Sequence, residues 1–287
     1  MPGTPHTTDA AGSAATAAAA TAPAAATSDA DLLDQTATAV REAGSALRER
    51  FGEVVRYRTR EELMSALAAN DDTALDILRP RLTHLRPEAG WVEDELDGGA
   101  LPPGEWWVVD PAEGNVNHLH GLPEWAVTAT LVRENRPVLT AVHLPLTGET
   151  YTARTGAGAH LDGRPLRVSR TADLGLGIVA TSQARPDEDD DVVRRVGSSI
   201  TAMLFDALVV RTAVPATLHL LHVAAGRMDA FWQFAGARAD LLPGALLVTE
   251  AGGRISDAEG RPWTPRSESF LAAAPGVHAQ AVATLSR

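Results

Sequence analysis

The chain has 287 residues, 45% of them hydrophobic, enough for several packed layers in an enzyme-sized body. Its 37 acidic residues outnumber 25 basic ones for a formal net charge of -12, so neither nucleic acid nor an anionic membrane surface is an expected partner. Cysteine is absent, which excludes disulfides, thiolate metal sites and cysteine nucleophiles and leaves any catalysis to oxygen and nitrogen groups.

Residues 1–28 are almost entirely Ala, Thr, Pro, Gly, Ser and Asp, with no large aliphatic side chain after Met1, and read as a disordered leader. The first basic residue is Arg41 and the tract lacks the Leu- or Val-rich run of a secretory signal, so the expected location is cytoplasmic. No later run approaches the ~18 apolar residues of a membrane span. From Ser28 or Asp29, either able to cap, Leu32, Leu33, Ala37, Val40, Ala43 and Leu47 return at helical spacing. A second helix is expected from Arg60 to Leu85, capped by Thr59 and carrying Leu63, Leu67, Leu75, Leu78 and Leu82, in a register the pattern does not fix. The segments EWWVVDP, WAVTATLVREN, PVLTAVHLP, ETYTART and LRVSR then predict a mostly antiparallel sheet. Beyond Leu176, strands GIVATSQA and LVVRTAV mix with helices ATLHLLHVAAG and ADLLPGALLVTEAGG, the last stopped by Gly252 and Gly253, while the acidic run 186–191 reads as an exposed loop. After the leader, one α+β domain over 29–287 is expected, with a larger half to about residue 175 and a smaller α/β half from about 176.

The chemistry concentrates in 107-WVVDPAEGNVNHLHG-121, where an apolar strand ends on Asp110 and Pro111 and enters a turn with Glu113, Gly114 and Asn115. Two carboxylates three residues apart on such a turn can flank one hard divalent cation. The plainer reading is an Asp-Pro turn with a solvated Glu. The run 93-EDELD-97 alone is an ordinary charged stretch.

Taken in order, the acid pair Glu93–Asp94, the run 110-DPAEGNVN-117, the hairpin 151-YTARTGAGAHLDGRPLRVS-169, 223-VAAGRMDAFW-232 and Asp240 in 239-ADLLPGALLVTEAGG-253 resemble the motifs of the inositol monophosphatase family of metal-dependent, lithium-sensitive phosphatases. The resemblance runs from about residue 30 to the C-terminus. It implies a layered α-β-α-β-α sandwich, a homodimer, and Mg²⁺, with Mn²⁺ or another divalent ion as alternatives. It also implies hydrolysis of a small phosphorylated polyol, sugar or nucleotide-like metabolite. Carried over by position, Glu93, Asp110 and the carbonyl of Ala112 hold one metal, and Asp110, Glu113 and Asp240 a second. Glu93, Asp110 and Asn115 take the catalytic positions, and Gly114 and Asn115 receive the phosphate. Pro215, Gln233 and His118 stand at substrate positions.

Several positions depart from the family pattern. Glu113 replaces Asp, and Asn115 replaces a Thr whose hydroxyl pairs with the water-activating acid; an amide orients a water but relays no proton. Val214 and Pro215 stand for Gly followed by Ser or Thr, Gln233 for Glu, and Ala239 for Trp. Asp71 or Asp72 is the candidate for the acid of the preceding threonine segment. His118 and His219 replace Phe and Asp, and would supply acid or base function if they faced the cavity. The altered pocket leaves two other outcomes open, a non-hydrolytic elimination or rearrangement on the same fold and a non-catalytic binding protein.

Overall fold

The structure, a computed structural model, describes residue 3 and residues 28–52, 56–93, 99–184, 188–234 and 238–287. The expected leader falls almost wholly outside these. In chain order the elements are α1 (Asp29–Arg50), α2 (Arg60–Leu85), β1 (Gly90–Trp91), β2 (Glu105–Glu113), α3 (Asn115–Leu119), β3 (Ala126–Arg133), β4 (Arg136–Leu144), β5 (Glu149–Arg154), β6 (Gly158–Leu161) and β7 (Arg164–Pro165). There follow β8 (Ile178–Thr181), α4 (Asp190–Asp206), β9 (Val209–Thr212), α5 (Ala216–Ala224), β10 (Ala230–Phe234), α6 (Arg238–Glu250), β11 (Arg254–Ser256), β12 (Ser269–Ala273) and α7 (His278–Leu285).

Both opening helices begin where their capping residues predict. Ser28 accepts from the backbone of Asp31, and Thr59 from Glu62, whose carboxylate accepts in turn from the backbone of Arg58. The buried stripe of α2 is Asn70, Ala74, Leu78 and Leu82, which explains the unclear register: an Asn occupies a core position.

The first sheet has order β1-β2-β3-β4-β5-β6-β7 and is antiparallel except for the β1–β2 pair. Its strands are covered on both faces, so they carry apolar side chains at successive positions. Val127 and Ala141 pack with Leu32, Val40 and Leu47 of α1 and Leu78 and Leu82 of α2. Ala126 and Val142, their neighbours, face Leu220 of α5 and Leu246 of α6. The second sheet, β11-β12-β10-β8-β9, repeats this: Phe231 and Phe270 join the α5–α6 layer, while Trp232 and Leu271 pack with Met203 of α4 and Ala281 of α7. The layers are therefore helix, sheet, helix, sheet, helix.

The central helix α6 is apolar on all sides, with Leu241, Leu242, Ala245, Leu246, Leu247 and Val248 buried, as a helix between two sheets must be. A Cβ on Gly244 would lie 2.3 Å from Leu220, so that glycine lets α5 and α6 approach. Three expectations need correction. The segment LRVSR is not a strand, because after Pro165 the chain leaves β7 for irregular backbone. Within the acidic run, residues 185–187 lie outside the described residues, and Asp190 and Asp191 form the first turn of α4, where the helix dipole favours them. Helices α4 and α7 and strands β11 and β12 were passed over.

Candidate metal and phosphate site

Asp110 and Glu113 are an odd number of positions apart, and in a regular strand they would point to opposite faces. The strand is not regular there. Asp110 pairs with Thr128 and Glu113 with Ala126, three steps against two, so β2 carries a bulge, and Pro111 within it has no amide hydrogen to lose from the ladder. The Ala112 amide donates to Asp110 Oδ1 at 3.0 Å and fixes that carboxylate. The bulge turns both acids to one side, where Asp240 meets them from the first turn of α6, and ligand atoms of all three carboxylates lie within 4.8 Å of one another. Asp110 and Glu113 are buried. Oxygen-only ligands at this spacing fit a hard divalent cation and not a thiophilic one.

Thr217, on α5, supports the cluster from behind. Its hydroxyl lies 3.0 Å from Glu113 Oε2 and 2.9 Å from the Asp240 carbonyl, with one proton to offer two acceptors. After the bulge, Gly114 takes φ +80°, and a Cβ there would sit 2.7 Å from the Glu124 carbonyl and 3.0 Å from Pro215. Asn117 holds this approach together by donating to the carbonyls of Glu124 and Val214 at 2.8 and 2.9 Å. Pro215 therefore packs on the Gly114 turn.

Asn115 is fixed on every side. Its amide nitrogen donates to Asp71 Oδ1 at 2.8 Å and to the Leu67 carbonyl at 3.0 Å, and its oxygen accepts from Asn70 Nδ2 at 2.8 Å. Of Asp71 and Asp72, Asp71 is the one that bonds Asn115. Its pKa is pushed up to about 6, chiefly by burial, with the Asn115 bond opposing and Asp72 adding to the rise.

The family profile of the inositol monophosphatases matches residues 29–287. The chain belongs to the inositol monophosphatase family. It is 33% identical over 236 residues to the inositol-1-monophosphatase of Rhizobium meliloti (strain 1021), spanning 80% of this chain and 86% of that one. It is also 36% identical over 173 residues to the Nus factor SuhB of Pseudomonas aeruginosa, covering 60% of this chain and 62% of the relative. Among solved structures, an IMPase of Thermotoga maritima superposes with a TM-score of 0.76 at 26% identity, over 89% of this chain and 97% of that one.

Within this member of the family, several positions read from the sequence have other tasks. Glu93 is not in the carboxylate cluster: Arg79 holds it through two bonds of 3.0 and 2.6 Å, and its side chain is 71% exposed. The Arg79 bond keeps its carboxyl below the usual range. Asp94 lies outside the described residues. Both ring nitrogens of His118 are engaged by the protein. It is buried, Asn70 donates to its Nδ1 at 3.0 Å, and its Nε2 must then donate to the Leu47 carbonyl at 2.9 Å. Burial lowers its pKa and keeps it neutral. His219 is buried likewise, stacked on Phe231 with Nε2 against the Ala213 carbonyl at 3.1 Å, and burial again lowers its pKa. Gln233, at the end of β10, accepts from Ser182 Oγ at 2.8 Å. Trp107, Trp125 and Trp232 are buried in the core. The sequence reading missed Asn70, Thr217 and Ser182; an Asn in a helix stripe was the only signal for the first.

Proposed function

We propose that the protein is a divalent-metal-dependent phosphomonoesterase that hydrolyses a small phosphorylated polyol, sugar or nucleotide-like metabolite. The observation that carries this reading is the convergence of Asp110, Glu113 and Asp240 through a bulge, a helix terminus and a supporting threonine. Random drift would rarely leave all three carboxylates aimed at one point.

Asp110, Glu113 and Asp240 would hold Mg²⁺ or Mn²⁺, with the Ala112 carbonyl beside them; Glu93 joins only by leaving Arg79. When bound, the cation supplies positive charge for the phosphoryl oxygens and makes water more acidic. The longer Glu113 is accommodated because Thr217 draws its carboxylate back toward α5. Gly114 and Asn115 border the phosphate, Asn115 as an orienting amide, and Pro215 and Gln233 shape the far wall. Asp71 bonds Asn115 through Oδ1 and would take the water's proton at Oδ2, not through the amide, its pKa of about 6 leaving it ionised yet basic near neutrality.

The test is phosphate release from sugar, inositol and nucleotide monophosphates with Mg²⁺ or Mn²⁺. Release that stops with chelator is expected; a folded, metal-loaded protein that frees phosphate from none of them would overturn the reading.

A cytoplasmic site of action and a homodimer belong to the same reading. Phosphorylated metabolites do not cross membranes unaided, and no helix among the described residues is long and apolar enough to span one. Leu176, Leu204, Phe205 and Leu208 are exposed, Phe205 by 83%, around the end of α4 and beside β9, the edge strand of the second sheet. Such a patch on a sheet edge supports pairing with a second copy. Sedimentation of the native chain should give twice the chain mass, and Phe205→Asp should shift it to the monomer.

A further inference from the structure

A carboxylate can meet a cation through one oxygen or through both, and two acids of the cluster have one oxygen engaged by the protein. Ala112 donates its amide to Oδ1 of Asp110 at 3.0 Å, and Thr217 places its hydroxyl 3.0 Å from Oε2 of Glu113. The second contact is shut off from solvent, since Glu113 is 2% exposed and Thr217 fully buried. The same hydroxyl lies 2.9 Å from the Asp240 carbonyl. Its single proton goes to Glu113, because a bond to a charged acceptor is about twice as strong as one to a neutral carbonyl.

Bidentate chelation needs both oxygens of a carboxylate at similar distances from the ion. A carboxylate with one oxygen held by a neighbouring donor meets the ion through the other. That difference separates the hard cations. Ca²⁺ takes roughly six to eight oxygens at about 2.3–2.6 Å and accepts bidentate carboxylates, whereas Mg²⁺ requires a near-ideal octahedron at about 2.0–2.1 Å. A monodentate Glu113 therefore favours the smaller ion. Glutamate gives this control something to act on, because its extra methylene lets the carboxylate swing flat onto a large ion. Thr217 belongs to α5, whose other buried residues are mostly apolar, and a hydroxyl placed there costs free energy unless it is bonded. The Asp240 carbonyl alone would satisfy that need, so the contact with Glu113 goes beyond it.

We infer that Thr217 is a positioning residue that sets the cation choice of the cluster: by holding one oxygen of Glu113 it keeps that ligand monodentate and selects Mg²⁺ over Ca²⁺. This rests on the metal site of the phosphatase reading and assigns the selectivity of that site to a side chain acting through a ligand. Valine has the shape of threonine without the hydroxyl, so it fills the same space in α5 and returns Oε2 to the ion. Serine keeps the hydroxyl and with it the restraint.

The experiment titrates Mg²⁺ and Ca²⁺ separately into the full chain, by calorimetry and by melting temperature, without substrate. The native chain should bind Mg²⁺ more tightly than Ca²⁺, and Asp110→Asn should weaken both, which places the ions at the cluster. Thr217→Val should shift the ratio of dissociation constants toward Ca²⁺ by about 10-fold, the scale of one hydrogen bond to a charged group. Thr217→Ser should restore the native ratio, and Thr217→Ala should repeat the shift if the valine variant does not fold. In a Glu113→Asp background, whose shorter ligand withdraws from Thr217, valine should shift the ratio much less. A native preference for Ca²⁺, an unchanged ratio in the valine and alanine variants, a shift that serine does not reverse, or an equal shift in the aspartate background would overturn the inference and leave the metal site in place. A native chain that binds neither ion would overturn the phosphatase reading as well. A preference that depends on Thr217 in a chain that frees phosphate from no monoester would sink the phosphatase reading alone.

Discussion

Asp110→Asn should lower kcat/KM for metal-dependent phosphate release by more than about 100-fold, beyond the 10- to 100-fold typical of groups one layer behind a metal. Asp110 touches both halves of the site: its carboxylate belongs to the cluster and also accepts the Ala112 amide that shapes the bulge. The asparagine keeps the size and one acceptor oxygen, so the bulge and the fold should survive. What is lost is charge where the cation sits. Two like unit charges no more than 4.8 Å apart repel by at least about 3.5 kcal/mol at an effective dielectric of 20, a repulsion that a cation among the three acids would relieve. The consequence can be measured without substrate. Mg²⁺ or Mn²⁺ at 100 times its dissociation constant stabilises the folded chain by about 2.7 kcal/mol, which raises the melting temperature of a chain this size by about 5 °C or more. The native protein should show that rise and Asp110→Asn much less of it. An equal rise in both would place the cation elsewhere.

The parts legible in the sequence were those set by short-range rules. Ser28 and Thr59 marked their helices because caps satisfy orphan backbone amides within three residues. The carboxylate turn was legible because Asp110, Pro111, Glu113 and Gly114 fall within five successive positions. Harder were the contacts that fold brings together across the chain. Thr217 is 104 positions from Glu113, and no local pattern marks a threonine in an apolar helix as its support. Glu93 looked like a ligand by its place in an acid pair, but α2 presents Arg79 to it, and the nearer cation wins. His118 looked available because a lone imidazole in a motif suggests chemistry; Asn70, from the core stripe of α2, and the Leu47 carbonyl consume both its nitrogens. Amphipathic periodicity showed α1 clearly and gave the bounds of α2 but not its register, since the polar Asn70 takes a core position in the buried stripe.

Phosphate release should rise with pH through about 6, and Asp71→Asn should abolish that rise and cost about 100-fold or more in kcat, the lower range for loss of a general base. Burial is the first cause of the raised value, and above pH 6 the carboxylate is ionised and able to take a proton; below it the acid is already filled. The same shift has a stability signature of the opposite sense. Because the folded value lies above the ordinary 3.8, the folded chain binds the proton more tightly, so Asp71 contributes stability that is full below about pH 4 and lost as pH rises through about 6. Asp71→Asn removes the buried charge and keeps an oxygen for Asn115 Nδ2. Its melting temperature should therefore match or exceed the native value at pH 8, which separates lost chemistry from lost folding. Asn115→Thr supplies the complementary result. A hydroxyl between the water and Asp71 can pass a proton where an amide cannot, and release should increase about 10-fold, even though Asn70 loses an acceptor at a cost of about 1 kcal/mol. If Asp71→Asn left both the rate and the acid limb intact, the base would lie elsewhere and the Asn115–Asp71 bond would serve only to hold the turn against α2.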